Sequence, residues 1–354
     1  MDRGINRNGG LTLVPMEGFE PMAISVKKII DQMGNKMTIP DIVYPKFGLR
    51  AQGEPYLRLD KKHIGGHDCV ILTSGPGTES LLIRLQFLLA YLVARRASRI
   101  AIVSGYMPLC RSDKDEGTLE LALFPLVVQM LYNASSKKLD RIIAVDLHSP
   151  QDVMAAPVMG LITEVSMARR LLNFVLEEAR KRFKKIVCMF PDDGALERFG
   201  SINTDLPKVN AHKKRKDSET IEILKLDGDV DQLTDSEEDI LGILIDDEFA
   251  TAGTMNTLAG RVMKDYNVKE IWGMAPHGII CGQAPKILSD PNRKIRRFFV
   301  TNTMPFDTNT IPFPNRLDLQ PLIENGTITV YDWDKELAQI VYYHHWDESI
   351  REMR

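Results

Sequence analysis

Two adjacent carboxylates at the end of an apolar run are the residues best suited to chemistry in this chain. Asp246 and Asp247 follow Ile243-Leu-Ile, and a turn of small residues, Thr251-Ala252-Gly253-Thr254, precedes a helical pattern from Met255. The hydroxyls and backbone N–H groups of such a helix start suit a phosphate, and the carboxylates can accept hydrogen bonds from ribose hydroxyls or bind Mg²⁺. The segment predicts a site for a phosphorylated sugar, although the acid pair alone is equally compatible with a solvated strand end.

A second set of polar residues predicts a metal bound beside a nucleotide. His148 follows the apolar run that ends at Asp146, and Asp192 follows the apolar run Lys185–Phe190. Mg²⁺ takes one or two protein ligands and completes its shell with water and phosphate oxygens, so a His and an Asp would suffice. A lone His is more often a polar residue with its hydrogen bonds satisfied than a metal ligand, but the place of His148 at a strand end favours the metal interpretation.

Further charged residues could bind phosphate groups. Arg111 and Asp113 lie in a loop after Arg99–Ser104, and an Arg fork suits phosphate oxygens, although this signal is weak alone. Lys213 and Arg215 open the stretch Lys213–Asp239, which by itself is more typical of a solvated, mobile excursion. The alternative is a flap that carries cations over an active site. Phosphoryl transfer needs positioning and positive charge, so the combined pattern predicts transfer between a nucleotide and a phosphorylated ribose.

Short apolar strands that alternate with helices must position these residues. Such alternation predicts parallel sheets with both faces covered, and ligands then bind beyond the carboxyl ends of the strands. The predicted strands are Cys69–Ser74, Arg99–Ser104, Arg141–Asp146, Lys185–Phe190, Gly242–Asp246, Ile271–Ala275, Arg297–Thr301 and Ile328–Asp332. The predicted helices are Glu79–Arg96, Leu119–Tyr132, Val165–Phe183, Asn256–Asp265 and Pro285–Leu288.

Length and composition limit the class of protein. The 354 residues exceed the usual size of one core, so we expect two domains. A net charge of -3 gives no reason to expect nucleic acid or a membrane as a partner. The four cysteines are far apart, which predicts free thiols in a reducing compartment. The N-terminus lacks the apolar core of a signal peptide. We therefore expect a cytoplasmic protein.

The motifs resemble, in order, those of the ribose-phosphate pyrophosphokinase (phosphoribosyl pyrophosphate synthetase) family. The resemblance runs from about Lys46 to the C-terminus. Its segments are Val145-Asp-Leu-His148, Pro191-Asp192-Asp-Gly194, His212-Lys213-Lys-Arg215, Asp246 to Thr254, His277-Gly278 and Val300-Thr-Asn-Thr-Met-Pro305.

The resemblance implies an α/β fold of two phosphoribosyltransferase-type domains, each a mainly parallel sheet flanked by helices. Residues 1–157 would form the ATP side, 158–335 the ribose-phosphate side, and 336–354 a C-terminal helix that packs on the N-terminal domain. The implied reaction is Mg²⁺-dependent transfer of the diphosphoryl group of ATP to the C1 hydroxyl of ribose 5-phosphate, which gives phosphoribosyl pyrophosphate and AMP. A homo-oligomer, dimer or hexamer, is also implied.

The family's site residues carry over to matching positions of this chain. Lys213 and Arg215 would be catalytic, and His148 and Asp192 would bind the metal. ATP would contact Phe47, Arg111, Asp113 and His148. The ribose phosphate would contact Asp246, Asp247, Thr251, Ala252, Gly253 and Thr254.

Departures from the family pattern leave three functions open. Ala250 stands where the family has an Asp, the ATP loop continues with acidic residues at Asp115 and Glu116, and the adenine-binding strip is reduced to Phe47. The chain could act on ribose 5-phosphate, or on ADP-ribose to give ADP-ribose pyrophosphate, or serve as a non-catalytic regulatory homologue. The retained Lys213 and Arg215 argue against the regulatory reading.

Overall fold

The computed structural model describes residues 9–33, 38–61, 63–114, 120–202, 205–215, 221–234, 238–306 and 319–350, with the backbone alone for 213–215 and 221–224. Contacts divide the chain into two compact units. Among the described residues, the first unit runs to Ser166 and resumes at Trp333, and the second lies between Met167 and Asp332.

The first unit is built on a six-stranded sheet and a separate two-stranded hairpin. Its strands are β1 (Leu11–Pro15), β2 (Asp41–Ile42), β3 (Pro45–Leu49), β4 (Pro55–Leu59), β5 (Asp68–Thr73), β6 (Arg99–Ser104), β7 (Leu139–Val145) and β8 (Ile162–Val165). Its helices are α1 (Glu20–Gln32), α2 (Glu79–Ala94), α3 (Phe124–Ala134), a 3₁₀ helix (Pro150–Ala155) and α9 (Asp334–His345). The sheet order is β2-β1-β5-β6-β7-β8 with parallel pairing, and β3 and β4 form the antiparallel hairpin.

The second unit is built on a seven-stranded sheet. Its strands are β9 (Lys185–Phe190), β10 (Lys208–Arg215), β11 (Ile221–Gly228), β12 (Ile240–Ile245), β13 (Val268–His277), β14 (Ile295–Thr301) and β15 (Ile328–Tyr331). Its helices are α4 (Ala168–Ala179), α5 (Asp193–Phe199), a 3₁₀ helix (Val230–Leu233), α6 (Gly253–Asp265), α7 (Ala284–Ser289) and α8 (Gln320–Glu324). The order is β11-β10-β9-β12-β13-β14-β15, and β10 with β11 is the antiparallel pair.

Apolar side chains cover both faces of the second sheet. Along β12, Ile240 and Leu244 belong to one buried cluster, whereas Leu241, Ile243 and Ile245 belong to another. Alternate residues of a strand point to opposite faces, so helices pack on both sides and the strand reads as a continuous apolar run. Polar residues can then leave the core only where a strand ends.

The prediction of mainly parallel α/β sheets is confirmed. The strands Arg99–Ser104 and Lys185–Phe190 have the predicted bounds, and the other predicted strands shift by one to three residues at their ends. The predicted start of a helix at Leu119 is wrong: the described residues 120–123 are not helical, and α3 begins at Phe124 with Pro125 in its first turn. Proline suits a helix start because its missing N–H has no partner there.

The stretch Lys213–Asp239 contains regular structure that its charge pattern did not predict. Its described part completes β10, forms β11 and continues into the 3₁₀ helix Val230–Leu233. The register between the two strands shifts between His212 and Lys213. No helix in the described part of the chain is long and apolar enough to cross a bilayer.

Candidate active site

The acid pair lies where β12 ends, as predicted. The N–H of Asp246 donates to the carbonyl of Met274 at 3.1 Å, which extends the pairing of β12 with β13 by one residue. Asp246 Oδ1 then accepts the N–H of Asp247 at 2.9 Å. The carboxylate of Asp246 thus caps the end of β12 by accepting the N–H of Asp247. Both residues are held in place by hydrogen bonds of their backbones.

The loop after the acid pair is held against the end of β13 and the residues that follow it. The N–H of His277 donates to the carbonyl of Asp247 at 3.1 Å, and the N–H of Phe249 donates to the carbonyl of His277 at 2.8 Å. Ile280 and Cys281 continue this ladder, with N–H donors to the carbonyls of Phe249 and Ala250. His277 itself is 1% exposed, and its Nδ1 lies 3.1 Å from the Thr303 hydroxyl. A loop fixed over four residues can hold a ligand without being ordered by it.

Helix α6 is preceded by a left-handed residue, which directly follows the exposed Thr251. Ala252 has φ 67° and ψ -5°, and its carbonyl accepts the first helical hydrogen bond, from the N–H of Asn256 at 2.9 Å. The N–H groups of Gly253 and Thr254 therefore precede the helical ladder. The chain turns sharply through Ala252, and the start of the helix presents N–H groups and hydroxyls that suit a phosphate.

Arg198 contacts the second carboxylate, which sequence reasoning did not anticipate. Its guanidinium nitrogen lies 3.1 Å from Asp247 Oδ2, and the two side chains are only 12% and 6% exposed. Arg198 stands near the end of α5, where its guanidinium lies 4.9 Å from the centroid of the Phe199 ring. No local motif marks Arg198, because its partner is 49 residues further along the chain.

The pKa of the Asp246 carboxyl is strongly shifted. Burial raises the pKa of the Asp246 carboxyl well above its usual value, and the charge and hydrogen bond of Asp247 and the charge of Asp192 raise it further. The effect of Asp192 means that the acid pair and the predicted metal ligand lie close together in this unit. Asp192 caps α5, with Oδ1 accepting the N–H of Ala195 at 2.8 Å.

The predicted catalytic cations lie on β10. The backbones of Lys213 and Arg215 pair with Ile223 and Ile221 of β11, and their side chains lie outside the described part of the structure. The preceding residue, His212, has Nε2 2.9 Å from Asp227 and Nδ1 3.4 Å from Asp193. These contacts tie the base of the hairpin to α5.

In the first unit, His148 follows a turn that begins at Asp146. Asp146 has φ 37°, and its Oδ1 accepts the hydroxyl of Ser166 at 2.6 Å. The N–H of Leu147 donates to Glu164 Oε1 at 2.8 Å. These bonds fix the backbone just before the half-buried His148.

The charges of Asp113 and His148 both influence the pKa of a buried carboxyl, that of Asp152, which sequence reasoning did not single out. Burial raises the pKa of Asp152 to about 7; the N–H of Ser149 opposes this, the charge of Asp113 adds to it, and His148 opposes it. The structure therefore brings Asp113 and His148 into one neighbourhood, which agrees with a shared ATP side without testing it.

The remaining predicted ATP residues lie in a turn and on the β3–β4 hairpin. The exposed Arg111 lies in a turn, and the hydroxyl of the next residue, Ser112, accepts the N–H of Leu123 at 2.9 Å. This bond ties the loop to the start of α3. Phe47 lies on β3, half-buried, with the Arg84 guanidinium 5.3 Å from its ring centroid. Their roles in ATP binding stay predictions.

The donor chemistry of the second unit fits a divalent cation in charge and in ligand type. Asp192, Asp246 and Asp247 supply carboxylate oxygens, which Mg²⁺ prefers. Within the described residues, however, no group of three or more His, Cys, Asp or Glu side chains is arranged to hold a metal by itself. A cation there would need ligands from a substrate, which is how Mg²⁺ commonly binds beside phosphates.

Comparison with known proteins points to one family. No protein-family model matches the chain. Ribose-phosphate pyrophosphokinase 2 of Schizosaccharomyces pombe is 29% identical over 245 residues, which cover 68% of this chain and 71% of the relative. The ribose-phosphate pyrophosphokinase of Staphylococcus saprophyticus is 26% identical over 334 residues, which cover 92% of this chain and 95% of the relative.

A solved structure supports the fold. The crystal structure of phosphoribosylpyrophosphate synthetase from Mycobacterium smegmatis aligns with a TM-score of 0.74 at 22% identity, over 96% of this chain and 99% of that one. The relatives are enzymes by name, which confirms the prediction that this protein is an enzyme. In its motifs, its relatives and its fold, the chain is similar to the ribose-phosphate pyrophosphokinase family.

Proposed function

We propose that this protein transfers the diphosphoryl group of Mg–ATP to the C1 hydroxyl of ribose 5-phosphate, giving phosphoribosyl pyrophosphate and AMP. The observation that carries the proposal is the acceptor loop: two carboxylates end β12, and a left-handed turn at Ala252 leads directly into α6. The names of the relatives across 92% of the chain support the same reaction.

The acceptor loop provides for both ends of the sugar phosphate. The N–H groups of Gly253 and Thr254 at the helix start, with the hydroxyls of Thr251 and Thr254, would bind the 5-phosphate. Asp246 and Asp247 would accept hydrogen bonds from ribose hydroxyls, with the C1 hydroxyl left to react. A rigid loop holds the nucleophile in one orientation, which removes much of the entropic cost of the reaction.

Arg111, Asp113, Phe47 and His148 are proposed to bind ATP. His148 in the first unit and Asp192 in the second are each proposed as Mg²⁺ ligands. A bound Mg²⁺ would supply charge neutralisation on the phosphates. The role of Asp192 is supported by its position near the carboxylates of Asp246 and Asp247.

In the proposed step, the C1 oxygen attacks the β-phosphorus as the bond from that phosphorus to the oxygen shared with the α-phosphate breaks. AMP leaves with that oxygen and its electron pair, and the hydroxyl proton is released. Lys213 and Arg215 are proposed to stabilise the charge that develops on the transferred group, since such reactions depend on positioned cations.

ADP-ribose is the second candidate acceptor, because Ala250 replaces the family's carboxylate. Ala250 is half-buried, and its carbonyl accepts the N–H of Cys281 at 2.9 Å, so its place in the loop is fixed. Without a carboxylate there, an acceptor with a second phosphate would meet less negative charge.

A cytoplasmic homo-oligomer is proposed as well, and the free thiols of the cysteines support a reducing compartment.

Chromatography of AMP released from Mg–ATP tests the proposal. The purified protein is incubated with ribose 5-phosphate, with ADP-ribose, or with neither sugar. We expect AMP with ribose 5-phosphate. Release with ADP-ribose alone would replace the first candidate by the second, and no release with either sugar would favour a regulatory homologue.

A further inference from the structure

Arg198 is anchored on both sides, and its contact with Asp247 is nearly closed to solvent. On one side its guanidinium lies over the Phe199 ring at 4.9 Å, and on the other it lies 3.1 Å from Asp247 Oδ2. With only 12% of the Arg198 side chain and 6% of the Asp247 side chain exposed, solvent screens this ion pair little. A contact of this kind fixes the orientation of both groups.

Asp247 is also held by its backbone. Its N–H donates to Asp246 Oδ1 at 2.9 Å, and its carbonyl accepts the N–H of His277 at 3.1 Å. The residue is therefore fixed at its amide, its carbonyl and its carboxylate. Asp247 is 4% exposed, whereas Asp246 is half-buried, so Asp246 is the more accessible member of the pair.

The arrangement also has an electrostatic reason. Asp192, Asp246 and Asp247 place three carboxylates near one another, in a site proposed to take an anionic sugar phosphate. A buried carboxylate without a partner is costly, and an anion would be repelled from it. Arg198 compensates one of these charges from inside the protein.

We propose that Arg198 is a positioning residue for sugar binding: it holds Asp247 as its partner and leaves Asp246 as the carboxylate that contacts the ribose hydroxyls. This inference rests on the proposed function and revises one part of it: Asp246 alone contacts the ribose hydroxyls, and Asp247 pairs with Arg198 instead. Arg198 acts through Asp247 and does not touch the substrate.

The variants Arg198→Met, Arg198→Lys, Asp247→Asn and the double variant Arg198→Met/Asp247→Asn test the inference. Calorimetry measures ribose 5-phosphate binding without ATP, and steady-state kinetics measure KM for each substrate. Arg198→Met is expected to weaken sugar binding at least about tenfold with KM for ATP nearly unchanged, since a buried charge loses its partner. Arg198→Lys, which keeps the charge, is expected to restore most of the binding.

The double variant separates positioning from a general structural effect. If Arg198 acts only through Asp247, adding Arg198→Met to Asp247→Asn has no further effect on sugar binding. The double variant also leaves neither charge unpaired, so it should fold even where Arg198→Met does not. If the double variant weakens sugar binding by the product of the two single effects, the inference is wrong.

Arg297→Met is a matched control in the same unit. Arg297 also lies on aromatic rings, 5.0 Å from Trp272 and 4.8 Å from Phe299, but it stands near the start of β14, away from the strand ends that carry the site. Sugar binding should be unchanged in this variant.

The outcomes distinguish the inference from the proposed function. A wild-type protein that binds ribose 5-phosphate but releases no AMP would refute the function alone. Arg198→Met that binds the sugar as well as wild type would refute the inference alone. A wild-type protein that does not bind ribose 5-phosphate would refute both.

Discussion

Substituting the two neighbouring acids separately should change the stability of the second unit in opposite directions. Asp247→Asn keeps the shape of the side chain but removes the negative charge 3.1 Å from Arg198, at a contact where only 12% of the Arg198 side chain is exposed. Removing one partner of a buried ion pair costs about 3–5 kcal/mol. Because the new amide oxygen can still accept a hydrogen bond, we expect the lower end, about 3 kcal/mol.

Asp246→Asn should have the opposite sign. Burial, Asp247 and Asp192 raise the pKa of Asp246 in the folded protein. A carboxyl with a raised pKa binds its proton more tightly in the folded state, so its stabilising effect is present below the unfolded pKa and is lost as the pH rises through the folded pKa. At pH 8, well above the unfolded pKa, the raised pKa of Asp246 therefore opposes folding, and the neutral Asn removes that cost.

Hydrogen exchange of the β12 amides, followed by mass spectrometry, measures the effect within this unit. Protected core amides exchange through unfolding, so a loss of about 3 kcal/mol speeds their exchange about a hundredfold. We expect that acceleration for Asp247→Asn, slower exchange for Asp246→Asn at pH 8, and recovery of most of the loss in Arg198→Met/Asp247→Asn. Equal acceleration in both single variants would refute the assigned asymmetry.

Three further outcomes are expected. Lys213→Ala should lower kcat by about a hundredfold or more with little change in either KM, because cations at the transferred group stabilise the transition state; steady-state kinetics check this, and a change confined to KM would contradict it. Ala250→Asp should shift the ratio of kcat/KM toward ribose 5-phosphate over ADP-ribose, because the new carboxylate repels a second phosphate; an unchanged ratio would show that position 250 does not select the acceptor. Burial lowers the pKa of His344 from 6.5 to about 4. The stabilising contribution of the neutral His344 is therefore complete above pH 6.5 and is lost as the pH falls toward 4. Thermal denaturation across this range should show about 3 kcal/mol less acid destabilisation in His344→Gln, and an identical pH profile would contradict the assignment.

Most strands buried on both faces were predictable from their composition, although β1, which is buried along its whole length, was not among the predicted strands. β6 and β9 are near-continuous apolar runs bounded by polar residues, and helices on both sides of a parallel sheet require that composition. The acid pair was predictable for the same reason, since a polar residue can leave such a strand only at its end.

Edge and surface elements were not predictable from composition. β11 lies at the edge of its sheet, and β10 carries a run of cations at its end. Edge strands in native proteins often carry charged side chains, which prevent pairing with other chains. The same charges that suit an edge strand make the segment read as solvated, so sequence reasoning missed the strand.

Helix α5 shows why the site itself was only partly predictable. Asp192, its N-cap, was expected to bind metal from its place after β9, but Arg198 gave no signal because its partner Asp247 lies on a different strand end. α5 spans seven residues, too short to be stable alone, so its orientation depends on the packing of the buried Ala195 and Phe199. The same short helix thus fixes the carboxylate proposed for the metal and the cation that compensates the sugar-site acid. Tertiary packing, and not the local motif, decides which of the two neighbouring acids is available to a ligand.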